Sequence, residues 1–132
     1  MSQENVEIVQ LVFEGWATGD LSAGEEHFDR HATFVVSRDF PAWGVKSGSD
    51  DIKRFMRDFL AQWDRTTFTA KRLRVAGDTV LVDVVQRGKG RASGLEGELT
   101  FFMLFTFRGR RIVRYECVMD ETEALEAVGL PE

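Results

Sequence analysis

The chain has 132 residues, 43% hydrophobic and 30% charged, a size that buries roughly two-thirds of its unfolded surface, so an ordinary core suffices without disulfide or metal staples. That composition excludes a disordered or fibrous chain. With 17 basic against 22 acidic residues the net charge is −5, which repels phosphate backbones and argues against general nucleic-acid affinity.

Val6, Val9, Val12, Phe13 and Trp16 recur at helical spacing, with Ser2 to cap the start and Gly19 to end the element, so the first segment is predicted as an amphipathic helix. Asp20 can cap a second, shorter helix from about Leu21 to Phe28, although Gly24 lies inside it. Ala32 to Ser37 is rich in β-branched and aromatic residues and reads as a strand. The following Arg38 to Gly48 carries Pro41, Trp43, Gly44 and Gly48 and reads as a loop.

Ser49, Asp50 and Asp51 supply a cap and first-turn acids for the cleanest apolar stripe in the chain, Ile52, Phe55, Met56, Phe59, Leu60 and Trp63. From Thr66 the pattern becomes four strand-like runs, about Thr67 to Val75, Thr79 to Arg87, Glu98 to Phe107 and Arg111 to Met119. Gly77-Asp78 and Arg108-Gly109-Arg110 suit tight hairpins, and Gly88 to Gly97 reads as a longer flexible connection. Asp120 and Glu123 make a capping-box start for a last helix with Ala124, Leu125 and Val128 inward, closed by Gly129 and Pro131.

Cys117 is the single cysteine, so no internal disulfide can form, and the acidic start Met1-Ser2-Gln3-Glu4 lacks the charge and apolar run of a secretory signal. The longest apolar run, Phe101 to Phe105, is only strand-length. The expected setting is cytoplasmic, away from membranes.

The order ααβαββββα, the string Glu14-Gly15-Trp16-Ala17-Thr18-Gly19-Asp20, the glycine-rich Arg87-Gly88-Lys89-Gly90 through Ser93-Gly94, and the closing Arg108 to Arg114 hairpin with its Asp120 to Leu130 tail together resemble the nuclear transport factor 2-like superfamily in its SnoaL-like branch. The resemblance runs end to end and implies one α+β domain. It implies a strongly bent antiparallel sheet forming a cone closed by the N-terminal and central helices, a cystatin-like α+β barrel roll. It also implies an apolar pocket for a small molecule and often a homodimer. Relatives include polyketide cyclases, ketosteroid isomerase, limonene epoxide hydrolase and scytalone dehydratase, so function must come from the residues lining the cone.

Set against those patterns, the isomerase's tyrosine, base and carboxylic-acid positions fall at Val12, Val36 and Met103, which can neither take a proton nor stabilise an oxyanion. The last-strand acid of the epoxide hydrolase and of the cyclases falls at Cys117. A nucleophilic thiol needs a base or a positive surrounding to ionise, and Cys117 has no evident partner, so it reads as a small hydrophobe in the wall.

Strand alternation puts Val113, Tyr115, Cys117 and Met119 on one face, and the family comparison turns that face inward. The same comparison turns Leu81, Asp83, Val85 and Arg87 into the cone and leaves Val80, Val82 and Val84 on a convex face suited to homodimerisation. Asp83 is then the leading acid-base candidate, with Arg87 as partner and Tyr115 as donor; the alternative is a structural Asp83–Arg87 ion pair at the rim or in solvent. Trp16, Phe55, Phe59, Val85, Phe101, Met103, Phe105 and Cys117 are the expected ligand contacts, against a purely structural core role.

His27 and His31 lack a complementary ligand set, the glycines from Gly88 to Gly97 lack the lysine and helix of a phosphate loop, and the arginines from Arg108 to Arg114 suit a solvated hairpin tip. No metal, nucleotide or flavin cofactor is therefore expected. Three functions remain: a proton-transfer enzyme of cyclase, isomerase or hydrolase type acting on an apolar metabolite, a noncatalytic ligand-binding or homodimeric module, or, ranked last, a protein–protein adaptor that uses the outside of the sheet.

Overall fold

In the computed structural model, which describes residues 2–40 and 43–130, the first apolar stripe becomes α1 (Ser2–Trp16). Ile8, Val9, Val12 and Phe13 are its buried face, and Gly19 takes the positive φ of 90° that turns the chain away. The proposed capping role of Ser2 and the prolines Pro41 and Pro131 lie outside what is described of the chain.

The expected second helix does not form. Asp20 accepts hydrogen bonds from the Ser22 backbone N–H and hydroxyl at 3.1 and 2.7 Å, an Asx turn that competes with helix initiation. Gly24 then adopts a φ of 76°, and a single 3-10 turn over Glu25–His27 leads directly into β1 (Phe28–Val36). A Cβ at Gly24 would strike Val12, so the glycine that weakens a helix here also lets the turn pack against α1.

Within the segment expected to be a loop, Gly44–Ser47 pairs with β1 as the short edge strand β2. The second amphipathic stripe is α2 (Ser49–Leu60); Trp63 leaves it to open β3 (Trp63–Ala76). β4 (Thr79–Gly90), β5 (Glu96–Arg108) and β6 (Arg111–Val118) follow as antiparallel neighbours. The Gly88 to Gly97 connection is thus largely ladder, and only its tip is a turn.

The six strands form one curved, unclosed sheet in the order β2-β1-β6-β5-β4-β3. It is mixed, because β1 runs parallel to β6, with Phe34 opposite Tyr115 and Val36 opposite Cys117. The chain must cross from one end of the sheet to the other to make that pair, a long-range contact invisible to local periodicity.

α1 closes one end of the concave face, where Val9 and Phe13 join Val80, Val82, Phe105 and Ile112 in the main core. On the convex face α3 (Glu121–Val128) places Ala124 and Leu125 against Leu81, Leu104 and Val118. Asp120 caps α3 by accepting from the Glu123 N–H at 3.3 Å, and Gly129 ends it at a φ of 76°. Among the described residues no helix is long and apolar enough to cross a membrane.

This two-sided covering corrects the expected parity of β4. Val80, Val82 and Val84 belong to the concave core, whereas Leu81 belongs to the convex cluster under α3, so the three valines form no outer dimer surface. Asp83, Val85 and Arg87 share the convex face with Leu81 by strand alternation. The strand gives no warning of this, since Val80, Leu81 and Val82 are all at most 1% exposed; a strand buried on both faces shows no alternation to read.

Candidate functional site

Beyond the part of the concave face that α1 fills, the bend of the sheet leaves a cavity of about 1540 Å³. Phe34 and Val36 of β1, Phe68 of β3, Phe101 and Met103 of β5, and Tyr115 and Cys117 of β6 form its wall. Phe55, Met56 and Phe59 of α2 hang over it; they pack against the edge of the core and stay only partly buried, whereas Ile52 is the one α2 residue buried fully.

The walls are aromatic and mutually oriented. Phe34 stacks on Tyr115 with ring centroids 4.4 Å apart, and Phe28 meets the same ring edge-on at 5.0 Å. Phe101 is met edge-on by Phe40 at 5.4 Å and by Phe68 at 6.4 Å. Such edge-to-face contacts follow the ring quadrupoles and hold the faces in place. Lys46 sits 5.6 Å from the Phe55 ring centre, tying α2 to β2 by a cation–π contact.

Trp16, Phe55, Phe59, Phe101, Met103 and Cys117, all expected ligand contacts, line this cavity together with Tyr115. Phe105 does not: it is 0% exposed and lies behind the wall, between Phe13 at 5.8 Å and Tyr115 at 6.1 Å. Val85 is buried on the opposite face of the sheet.

The expected Asp83–Arg87 pairing is also absent. Asp83 accepts from Arg74 at 2.8 Å and pairs with Arg72 at 3.3 Å, and both arginines reach Glu121 of α3 at 3.3 Å. Arg87 pairs with Glu98 at 2.8 Å on the convex side of the β4–β5 hairpin. Asp83 therefore fastens α3 to the outside of the sheet and cannot exchange protons with anything held inside it.

Buried polar groups in the cavity are few; Arg30, Ser49, Lys53, Arg57 and Gln62 reach it only from exposed positions. Tyr115 is 7% exposed, and its hydroxyl has no hydrogen-bond partner among the described residues. Burial first, and the neighbouring Cys117 second, push its pKa well above the usual tyrosine range, so near neutrality it is a donor and never a base. Burial, with a smaller contribution from Glu116, pushes the Cys117 thiol up to about 12; it is protonated and unreactive at neutral pH. The carboxylates reaching the cavity, Asp20, Glu25, Glu26 and Asp29, are exposed or half-exposed, and Lys53 closes on Glu25 at 2.8 Å beside them; Glu98 borders the rim, but its carboxylate is held by Arg87 on the convex side.

Gln86, which sequence reasoning passed over, lines the same cavity at 8% exposure. The inverted parity of β4 hid it. Its one sequence signal is a carboxamide ending the otherwise apolar concave row Val80, Val82, Val84.

A curved six-stranded sheet with helices over its concave face defines the class, the nuclear transport factor 2-like α+β fold, shared with solved structures over nearly the whole chain. An NTF2-like protein from Burkholderia thailandensis E264 is 24% identical, with 96% of this chain and 98% of that chain covered and a TM-score of 0.77. A putative SnoaL-like polyketide cyclase from Jannaschia sp. CCS1 is 17% identical, covering 99% and 95%, at 0.75. TerC, co-crystallised with polyporic acid, is 20% identical, covering 95% and 97%, at 0.76. Within that class the chain belongs to the SnoaL-like domain family, whose model matches residues 9–115. No curated protein matches the sequence.

Proposed function

We propose that the cavity binds a small, neutral, flat molecule of two or more rings, with an oxygen acceptor directed at the Tyr115 hydroxyl, and that the protein acts as a binding module for it. The observation that carries this reading is the oriented aromatic wall around one buried, protonated tyrosine. Aromatic faces at fixed angles favour flat, polarisable ligands, and a cavity that desolvates charge disfavours ionised ones. Binding is favoured over proton transfer because the carboxylates lie at the rim or, like Asp83, on the far side of the sheet. The polyporic acid with which TerC was co-crystallised and the cyclase name of the Jannaschia protein are in keeping with a small organic ligand here.

Fluorescence titration with 2-acetylnaphthalene and its acceptor-free analogue 2-isopropylnaphthalene tests the reading, since Trp16 and Trp63 both line the cavity. Saturable binding of both, with the ketone tighter by roughly threefold to tenfold for one hydrogen bond, is the expected result, and Tyr115→Phe should erase the difference. No saturable binding of either removes the proposal.

A further inference from the structure

Gln86 and Thr66 are two polar side chains in the concave face, 8% and 6% exposed. They are joined in a chain with a definite direction. The Thr66 hydroxyl donates to the Arg87 carbonyl at 3.2 Å, and the Gln86 Nε2 donates to the Thr66 oxygen at 3.3 Å. Because the hydroxyl has one hydrogen and it is committed to Arg87, Thr66 can only accept from Gln86. That fixes which end of the carboxamide faces Thr66 and settles the amide orientation by its network.

The consequence is an acceptor held in place. The Gln86 Oε1 receives no hydrogen bond among the described residues, although the side chain is more than nine-tenths buried and lines the cavity. The oxygen itself is not sealed off, so a ligand O–H or N–H entering the cavity can reach it and donate. The polar ends of the cavity are thus opposite in kind: Tyr115 presents a donor and Gln86 an acceptor.

Their spacing sets a length. On β5, Gln86 lies opposite Leu99 and Tyr115 lies opposite Phe105, a stretch of strand of at most about 20 Å at roughly 3.3 Å per residue. Gln86 is at the end near Gly97 and Glu98, toward the open rim, and Tyr115 is deep among Phe28, Phe34 and Phe105.

We infer that Gln86 is a ligand-recognition residue that selects a hydroxyl- or N–H-bearing aromatic, and that Thr66 is the positioning residue that aims it. The inference rests on the binding reading above and names the second polar group of its ligand, a phenol-type or amide-type donor at the rim end.

The test compares the affinity of 2-naphthol with that of 2-methoxynaphthalene, which keeps the ring system and the oxygen but has no donor. The native protein should prefer the naphthol by roughly threefold to tenfold, the range expected of one hydrogen bond. Gln86→Met, close in length and fit for an apolar wall, should reduce the ratio to about one while still binding the ether. Thr66→Val should lower the ratio partway by freeing the amide to turn. A structural role for Gln86 would shift thermal stability and leave the ratio alone, so both are measured on each variant. Saturable binding with the same ratio in native protein and Gln86→Met overturns the assignment of Gln86 alone. No saturable binding of either probe overturns the binding reading and this inference with it.

Discussion

Phe34 and Tyr115 lie opposite each other on β1 and β6 and stack at 4.4 Å with 17° between their planes. They join the strands of the parallel pair face to face at the bottom of the cavity, so the ring of Tyr115 is structural while its hydroxyl remains for a ligand. The two roles separate by substitution. Tyr115→Phe should keep the stack and change stability by less than about 1 kcal/mol, whereas Tyr115→Ala should destabilise by about 3–5 kcal/mol, as for other buried aromatics. Urea unfolding of the two variants checks both halves.

Burial raises the pKa of both Tyr115 and Cys117, which fixes the sign of an alkaline transition. An acid whose folded pKa lies above its unfolded value contributes stability in full below the unfolded value and loses it as pH climbs toward the folded one. For Cys117 that window opens near 9.0 and closes at about 12; for Tyr115 it opens near 10.0. Stability should therefore be level up to about pH 9 and fall above it, by up to about 1.4 kcal/mol per pH unit for each titrating group. Guanidinium unfolding at pH 8, 9, 10 and 11 reads the slope, and Cys117→Ala should flatten it between pH 9 and 10. An unchanged slope in that variant would contradict the burial of the thiol.

Gly88 is the platform for Trp63. A Cβ at Gly88 would fall 2.6 Å from Trp63 Cε3 and 2.9 Å from the Arg65 carbonyl, and the carbonyl is backbone that cannot step aside. Gly88→Ala should destabilise by about 1–3 kcal/mol through overpacking and shift tryptophan emission to the red. Gly97→Ala, opposite it on β5, would meet nothing within 4 Å and should change stability by less than about 0.5 kcal/mol. Thermal melts with fluorescence detection distinguish them.

Asp83 makes its case by being in the wrong place for chemistry. With Arg74 at 2.8 Å and Arg72 at 3.3 Å it secures the β3–β4 surface beneath Glu121. Asp83→Asn should leave probe affinity in the cavity unchanged and cost about 1 kcal/mol of stability, the scale of a partly screened ion pair. Hydrogen exchange should place the loosening in α3. Loss of cavity binding with α3 intact would reverse this assignment.

These residues also show what the sequence carried and where it stopped. α1, α2, α3 and the three hairpins of β3 to β6 were legible because each is a local pattern: an apolar stripe, a glycine at a turn, a capping box at Asp120. The segment after Gly19 was misread because Asp20 caps a turn as readily as a helix, and only Gly24 against Val12 decides between them. β2 is short and pairs at the edge, and the parallel register of Phe34 with Tyr115 joins segments far apart in the chain. On β6, Tyr115 and Cys117 do line the cavity as expected, but a register shift between Thr106 and Phe107 puts Ile112 in the core in place of Val113. β4 offered no alternation to set against the family comparison that turns Asp83 and Arg87 inward and passes over Gln86, and that one inversion moved the expected chemistry from one side of the sheet to the other.

Occupation of the concave cavity by a flat aromatic ligand can be read residue by residue in a methyl-detected NMR titration with 2-acetylnaphthalene. Saturable shifts of the Met56, Met103 and Val36 methyls, which line the cavity, are expected, with Leu81, Leu104 and Val118 on the far side left in place. Shifts confined to the far-side methyls, or no saturable shift in either set, would contradict it.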